Sequence, residues 1–209
     1  MVSAHPHVVD FQESSHTLSV SGRVLPSVTT ILSGAGMIKG EEFFQQEAAY
    51  RGSAVHMICE LDDLGDLDED QQIVQQHCGY LEAARKFKKD SGFDPRVIER
   101  PLADVSLGFA GIPDRFGFSA WPPKPTVVDW KTGAIGKHVG LQLAAYVHLA
   151  CVNDLEGMAG PAYKAPSLWR RIAVRLQADG KYNVKEFDNP KDWQVFSAAL
   201  CVENWKRTV

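Results

Sequence analysis

The chain has 209 residues, 44% of them hydrophobic and 23% charged. These are ordinary globular proportions; they exclude wholesale disorder and predict one domain spanning 1–209. The longest apolar stretch, LQLAAYVHLACV, falls well short of the roughly 20 residues that cross a bilayer. The N-terminus shows no cationic region followed by an apolar one, so a cytoplasmic protein is expected, without a membrane partner. A formal net charge of −4 argues against a nucleic-acid binder that works through its overall field. Contact with phosphates would need local patches or bound metal ions, since residues 60–70 alone hold seven carboxylates. Four cysteines, Cys59, Cys78, Cys151 and Cys201, stand apart from one another without a CxxC pair and read as buried thiols in a reducing compartment.

Residues 1–40 predict a hairpin and short-helix elaboration. The hairpin turns at Ser21-Gly22, and Ser27 is placed to cap a short helix. Residues 41–92 predict a helical segment, with one helix from Glu41 to about Leu64 that Arg51-Gly52-Ser53 interrupts. A second runs from about Glu69 to Lys89, with Ile73, Val74, Cys78, Leu81 and Ala84 on one stripe. RVIERPLA, LGFAGIPDRFGF and PTVVDWK then read as three strands, the third preceded by a turn at Pro122-Pro123. GKHVGLQLAAYVHLACVND reads as an apolar helix, LWRRIAVRLQ and YNVKEF as a hairpin turning at Asp179-Gly180, and residues 189–206 as a closing helix. This order implies an α/β or α+β fold with a central mixed sheet flanked by helices.

The chemistry concentrates in GIPDRFGF and TVVDWKTG. Asp129 and Lys131 lie two apart on a strand and project from one face, whereas Val128 and Trp130 point to the other. A carboxylate and an ammonium on an apolar strand are costly to bury, so they form either a structural ion pair or a site. Asp114, from the preceding strand, is placed to meet Asp129 across the sheet. Two close carboxylates repel unless a cation lies between them. Hard oxygen ligands suit Mg²⁺ or Mn²⁺, which polarise a phosphoryl oxygen and activate water.

Asp114 followed by Asp129-Trp130-Lys131 resembles the signature of PD-(D/E)XK nucleases. The longer match is to their RecB-like branch: a helical His in RGSAVHMICE, a Glu in VIERPL, Gly111-Ile112-Pro113-Asp114, Thr132-Gly133 after the lysine, and QLAAY from Gln142 to Tyr146. LPSVTTIL is similar to the opening of phage-encoded members. The resemblance implies a restriction-endonuclease-like αβββαβ core. It makes Asp114, Asp129, His56 and the main-chain carbonyl of Trp130 metal ligands, and Lys131 the catalytic lysine. Glu60, four residues beyond His56, would bind metal directly or through water, or simply be solvated. Glu99 would hold a metal-bound water or pair with Arg96 or Arg100. Gln142 and Tyr146, on one helical face, would point at the site and bond Lys131 or a DNA phosphate; Tyr146 also reads as core. His138 and His148 read as ordinary helix residues, and His5, His7 and His16 carry no role. Some RecB-like nucleases hold an iron–sulfur cluster with three cysteines near the C-terminus. Only Cys201 lies there, so no cluster is expected.

Arg171 and Arg175 share parity on a strand and read either as a groove that neutralises phosphates or as a solvated outer strand. Arg51 would open the His56 helix, where free N–H groups favour an anion. Phe43, Phe44 and Tyr50 offer stacking surfaces for unpaired bases, although aromatics at helical spacing are more often core. The expected function is metal-dependent hydrolysis of DNA, by a non-sequence-specific exonuclease acting on single strands or ends in recombination, repair or replication, with a partner protein from that machinery. A structure- or sequence-specific endonuclease, or a non-catalytic DNA- or protein-binding module, is the alternative.

Overall fold

A computed structural model describes residues 8–12, 17–38, 46–120, 123–155, 158 and 161–207. The start of the expected first long helix, with Phe43 and Phe44, lies outside them, as do His5, His7, His16 and Pro122. The N-terminal part is a three-stranded antiparallel sheet of β1 (Val9–Gln12), β2 (Thr17–Val20) and β3 (Arg23–Leu25). Its hairpin turns where expected, with Ser21 and Gly22 at φ 50° and 79°, both in the left-handed region that a tight primed turn demands. Helix α1 (Val28–Gly34) begins as predicted, the Thr30 amide donating to Ser27 Oγ at 3.0 Å.

Two expectations for the helical segment need correction. Helix α2 (Gln46–Leu64) runs unbroken through Arg51-Gly52-Ser53, because helix-compatible neighbours carry a single glycine at modest cost. The second helix divides at His77 into α3 (Gln72–Gln76) and α4 (Cys78–Ser91). Val74, Leu81 and Ala84 are buried as the stripe requires, but Cys78 is exposed.

The three expected strands are five: β4 (Asp94–Ile98), β5 (Leu102–Asp104), β6 (Phe109–Gly111), β7 (Arg115–Ser119) and β8 (Lys124–Lys131). The first breaks at Glu99, whose φ of 42° no strand accommodates, and the second breaks across Ile112-Pro113-Asp114. The pieces β5 and β6 pair with each other as a two-stranded ribbon. Helix α5 (His138–Val152), β9 (Arg170–Leu176), β10 (Tyr182–Glu186) and α6 (Asp192–Arg207) complete the chain.

The principal sheet has the order β10-β9-β8-β7-β4, parallel between β8 and β9 and antiparallel elsewhere. It is a mixed sheet flanked by helices, as expected. Its elements follow the order α4, β4, β7, β8, α5, β9, with the β5–β6 ribbon inserted between the first two strands. Alternation along β8 feeds two cores. Val127, with Phe116 and Ala173, packs against Leu143 and Leu149 of α5 and Phe196 of α6. Val128 and Trp130 pack on the other face against Val55 and Cys59 of α2 and Phe87 of α4. The Trp130 ring meets Phe87 edge-on at 5.6 Å. Of the four thiols, all unpaired, Cys59 alone is fully buried. Among the described residues no helix is long and apolar enough to cross a membrane.

Candidate metal centre and its lysine

Three elements converge at the C-terminal end of β8. Register pairs Arg115 with Val128, which sets Asp114, one residue before β7, opposite Asp129. The Trp130 amide donates to Asp114 Oδ2 at 2.7 Å. Asp114 and Asp129 keep only 7% and 1% of their surface exposed. Helix α2 brings His56 over the strand end, its Nε2 lying 3.0 Å from the Trp130 carbonyl. A carbonyl only accepts, so Nε2 carries the proton. Nδ1 then faces Asp114 Oδ2 at 3.6 Å and Glu99 Oε1 at 3.8 Å. One ligand atom each from His56, Glu99 and Asp114 falls within 4.8 Å of the others, a span that a single divalent cation can bridge.

The electrostatics favour an added positive charge. Burial pushes the Asp114 carboxyl up, with His56 opposing and Glu99 adding to the rise. Burial likewise raises Asp129, against the pull of Lys131 and with the push of Asp114. Burial works against charge on His56, but Asp114 and Glu99 outweigh it and hold the imidazole up at about 9. These carboxylates are costly to ionise together, and protons stand in for the metal a liganding site would hold.

Lys131 leaves the same face of β8 as Asp129, and its ammonium lies 2.7 Å from Asp129 Oδ2. Oδ2 is buried, and the Lys131 ammonium beside it draws the carboxyl down against the rise that burial causes. Oδ1 accepts from the Gln142 amide at 3.2 Å, and the same nitrogen donates to the Tyr146 hydroxyl oxygen at 3.1 Å. Gln142 and Tyr146 thus point toward Asp129 and each other, where Lys131 or a DNA phosphate is the expected partner. Gly111 makes room for this: a Cβ there would sit 2.8 Å from the Tyr146 ring.

Several expected residues are placed otherwise. Glu60, half-buried, lies outside the group of converging ligand atoms. Glu99 accepts from Arg115 at 3.0 Å, while Arg96 pairs with Asp94. The Trp130 carbonyl, expected as a metal ligand, accepts from His56 Nε2 at 3.0 Å. Arg51 lies within α2, so no free amides surround it. Arg171 is committed to structure, donating to Asp192, the Gly140 carbonyl and the Asn189 carbonyl at 2.8, 3.1 and 2.9 Å. Arg175 is exposed and pairs in register with Lys131, which puts both on one face of the sheet. Tyr50 is 62% exposed and is not core. His148 is structural, bonded to Asp104 at 2.7 Å and stacked on Trp193.

Sequence reasoning missed Asp63 and Arg115. Asp63 counted only as one charge of the acidic run, although it lies two helical turns beyond His56 on the same face. Arg115, directly after Asp114, is fully buried. The run is partly neutralised, three of its seven carboxylates being paired: Asp62 with Arg85 and Lys88, Asp63 with Lys88 and Arg115, and Glu69 with Arg85. Its carboxylates therefore repel a polyanion less than their number suggests. Neither the protein-family models nor the curated proteins compared with the sequence match it.

Proposed function

We propose that this chain is a divalent-metal-dependent deoxyribonuclease of the PD-(D/E)XK kind, within its RecB-like branch. One observation carries the reading. Ligand atoms of His56, Glu99 and Asp114, from three separate elements, converge within 4.8 Å, beside a strand that presents Asp129 and Lys131 on one face. A structural ion pair needs no such convergence, and carboxylates crowded together with little exposure are costly to ionise without a cation among them.

In this reading His56 Nδ1 and the carboxylates of Glu99 and Asp114 hold Mg²⁺ or Mn²⁺, with Asp129 adjoining. A cation held there would polarise a phosphoryl oxygen and lower the pKa of a bound water, so that hydroxide is available to attack the phosphorus. The protein's own groups do the rest. Asp129, fixed by Gln142 and Tyr146, holds the Lys131 ammonium at the mouth of the site, where it offsets charge growing on the phosphoryl group. The Trp130 carbonyl orients His56 through Nε2 and so presents Nδ1 to the centre. Arg175, next to Lys131 across the sheet, is placed to receive a neighbouring phosphate of the same strand.

The substrate is DNA, taken as single strands or ends without regard to sequence, in recombination, repair or replication, and beside a partner from that machinery. Four unpaired thiols fit a reducing cytoplasm, that of the host if the chain is phage-encoded. Incubation with linear and covalently closed circular DNA, in Mg²⁺, Mn²⁺ or EDTA, tests this. Metal-dependent loss of linear DNA with the circle spared supports an exonuclease. Cutting of both identifies an endonuclease on the same site. Cutting of neither by metal-loaded protein leaves a DNA- or protein-binding module.

A further inference from the structure

Arg115 has no solvent-exposed surface, yet it touches all three elements that carry the converging ligands. Its Nε donates to Asp63 Oδ2 at 2.6 Å, and Asp63 sits on α2, the helix of His56. Its Nη1 donates to Glu99 Oε1 at 3.0 Å and to the Asp114 carbonyl at 2.6 Å. The Asp114 carbonyl also receives the Glu99 amide at 3.0 Å, which closes a small ring of bonds around the end of β4. Glu99 itself is held at φ 42°, a left-handed conformation that a glutamate keeps only where its surroundings over-determine it. The Asp63 side chain, 1% exposed, is neutralised from its other side by Lys88.

Only a planar fork with several donors meets a carboxylate on one edge while bonding a second carboxylate and a carbonyl on the other. We propose that Arg115, anchored by Asp63, is a positioning residue for the metal centre: it sets Glu99, Asp114 and the His56 helix at the spacing the cation requires. It touches neither metal nor substrate and acts through the ligands. The proposal rests on the metal-centre reading above.

Calorimetric titration of the full chain with Mn²⁺ tests it in a double-mutant cycle of Arg115→Lys and Glu99→Gln. Arg115→Lys keeps the charge but loses the fork, and is expected to weaken Mn²⁺ binding about 10- to 100-fold, the usual range for partners that orient ligands. In the Glu99→Gln background the same change is expected to cost less than in the wild type, because one of the ligands through which Arg115 acts has been weakened. Wild-type affinity in Arg115→Lys, or a full additional loss in the Glu99→Gln background, overturns the proposal. Asp63→Asn provides the second variant should Arg115→Lys fail to melt cooperatively; it is expected to weaken binding by a similar factor, and unchanged affinity there overturns the proposal too. Absence of Mn²⁺ binding by the wild type overturns the metal-centre reading, and this inference with it. Wild-type binding with an indifferent Arg115→Lys overturns the inference alone.

Discussion

The Trp130 amide donates to Asp114 Oδ2 at 2.7 Å, so a backbone group lying between Asp129 and Lys131 fixes the carboxylate that faces them. This bond uses one Asp114 oxygen as a neutral acceptor and does not require its charge. Asp114→Asn therefore keeps the acceptor and removes a negative charge that burial and Glu99 disfavour. The metal-free variant is expected to melt at or above the wild-type temperature, with Mn²⁺ binding and DNA cleavage both lost, a trade of stability against function common at active sites. Scanning calorimetry and Mn²⁺ titration check this. A destabilised variant that still binds Mn²⁺ would contradict it.

His56 sets a pH dependence. Its folded-state pKa of about 9 exceeds the ordinary value near 6.5, so protonation favours the folded chain. That contribution is complete below about pH 6.5 and is lost as pH rises through about 9. The raised carboxyls of Asp114 and Asp129 act in the same sense, since their ionisation on going up in pH costs the folded state more than the unfolded one. In EDTA the melting temperature is expected to fall between about pH 6.5 and 9. Mn²⁺ affinity is expected to rise over the same interval as the metal displaces protons. Melting curves across that range with EDTA and with Mn²⁺ measure both, and a metal-free melting temperature that rises with pH is the contrary result.

Arg171 and Arg175 share parity on β9 but differ in purpose. Arg171→Ala leaves Asp192 and two carbonyls without their donor and is expected to cost on the order of 3 kcal/mol of stability. Arg175→Ala removes an exposed side chain beside Lys131 and is expected to leave the melting temperature unchanged. It should instead weaken oligonucleotide binding and lower its salt dependence by about one ion. Anisotropy with a fluorescent oligonucleotide, in a Lys131→Ala background that prevents cleavage, separates the two. Equal binding losses in both variants would refute the assignment.

Gly111 is the close-approach point behind Tyr146. Gly111→Ala places a methyl 2.8 Å from the Tyr146 ring, and overpacking of this kind costs about 1–3 kcal/mol. The ring must shift, taking its hydroxyl from Gln142 and loosening Asp129. Cleavage is expected to fall at least tenfold in a protein that remains folded at 25 °C. Wild-type turnover would show that Tyr146 is core alone.

Much of this arrangement is legible in the amino-acid sequence. The parity of Asp129 and Lys131 on an apolar strand, the meeting of Asp114 with Asp129 across the sheet and the shared helical face of Gln142 and Tyr146 each follow from strand or helical period; that Gly-x-x-Asp and the Gln142–Tyr146 pair bear on one site comes only with the resemblance. What escapes is long-range and made of charge. No periodicity says that Arg115, embedded in a strand of buried residues, reaches back 52 positions to Asp63. Nor does any composition rule show that part of the acidic run is answered by Arg85 and Lys88 on α4. Strand breaks at Glu99 and before Asp114 are equally silent, because backbone sites with functional geometry depart from local propensity. Arg171 and Arg175 look alike in sequence, and only the packing of α6 distinguishes them.

The most direct measurement is digestion of end-labelled single- and double-stranded DNA by the wild type and by Lys131→Ala, in Mg²⁺, Mn²⁺ and EDTA. The account predicts metal-dependent release of label by the wild type, none in EDTA, and none by a Lys131→Ala protein that still folds and binds Mn²⁺. Cleavage by Lys131→Ala at the wild-type rate, or no cleavage by wild-type protein carrying Mn²⁺, would contradict it.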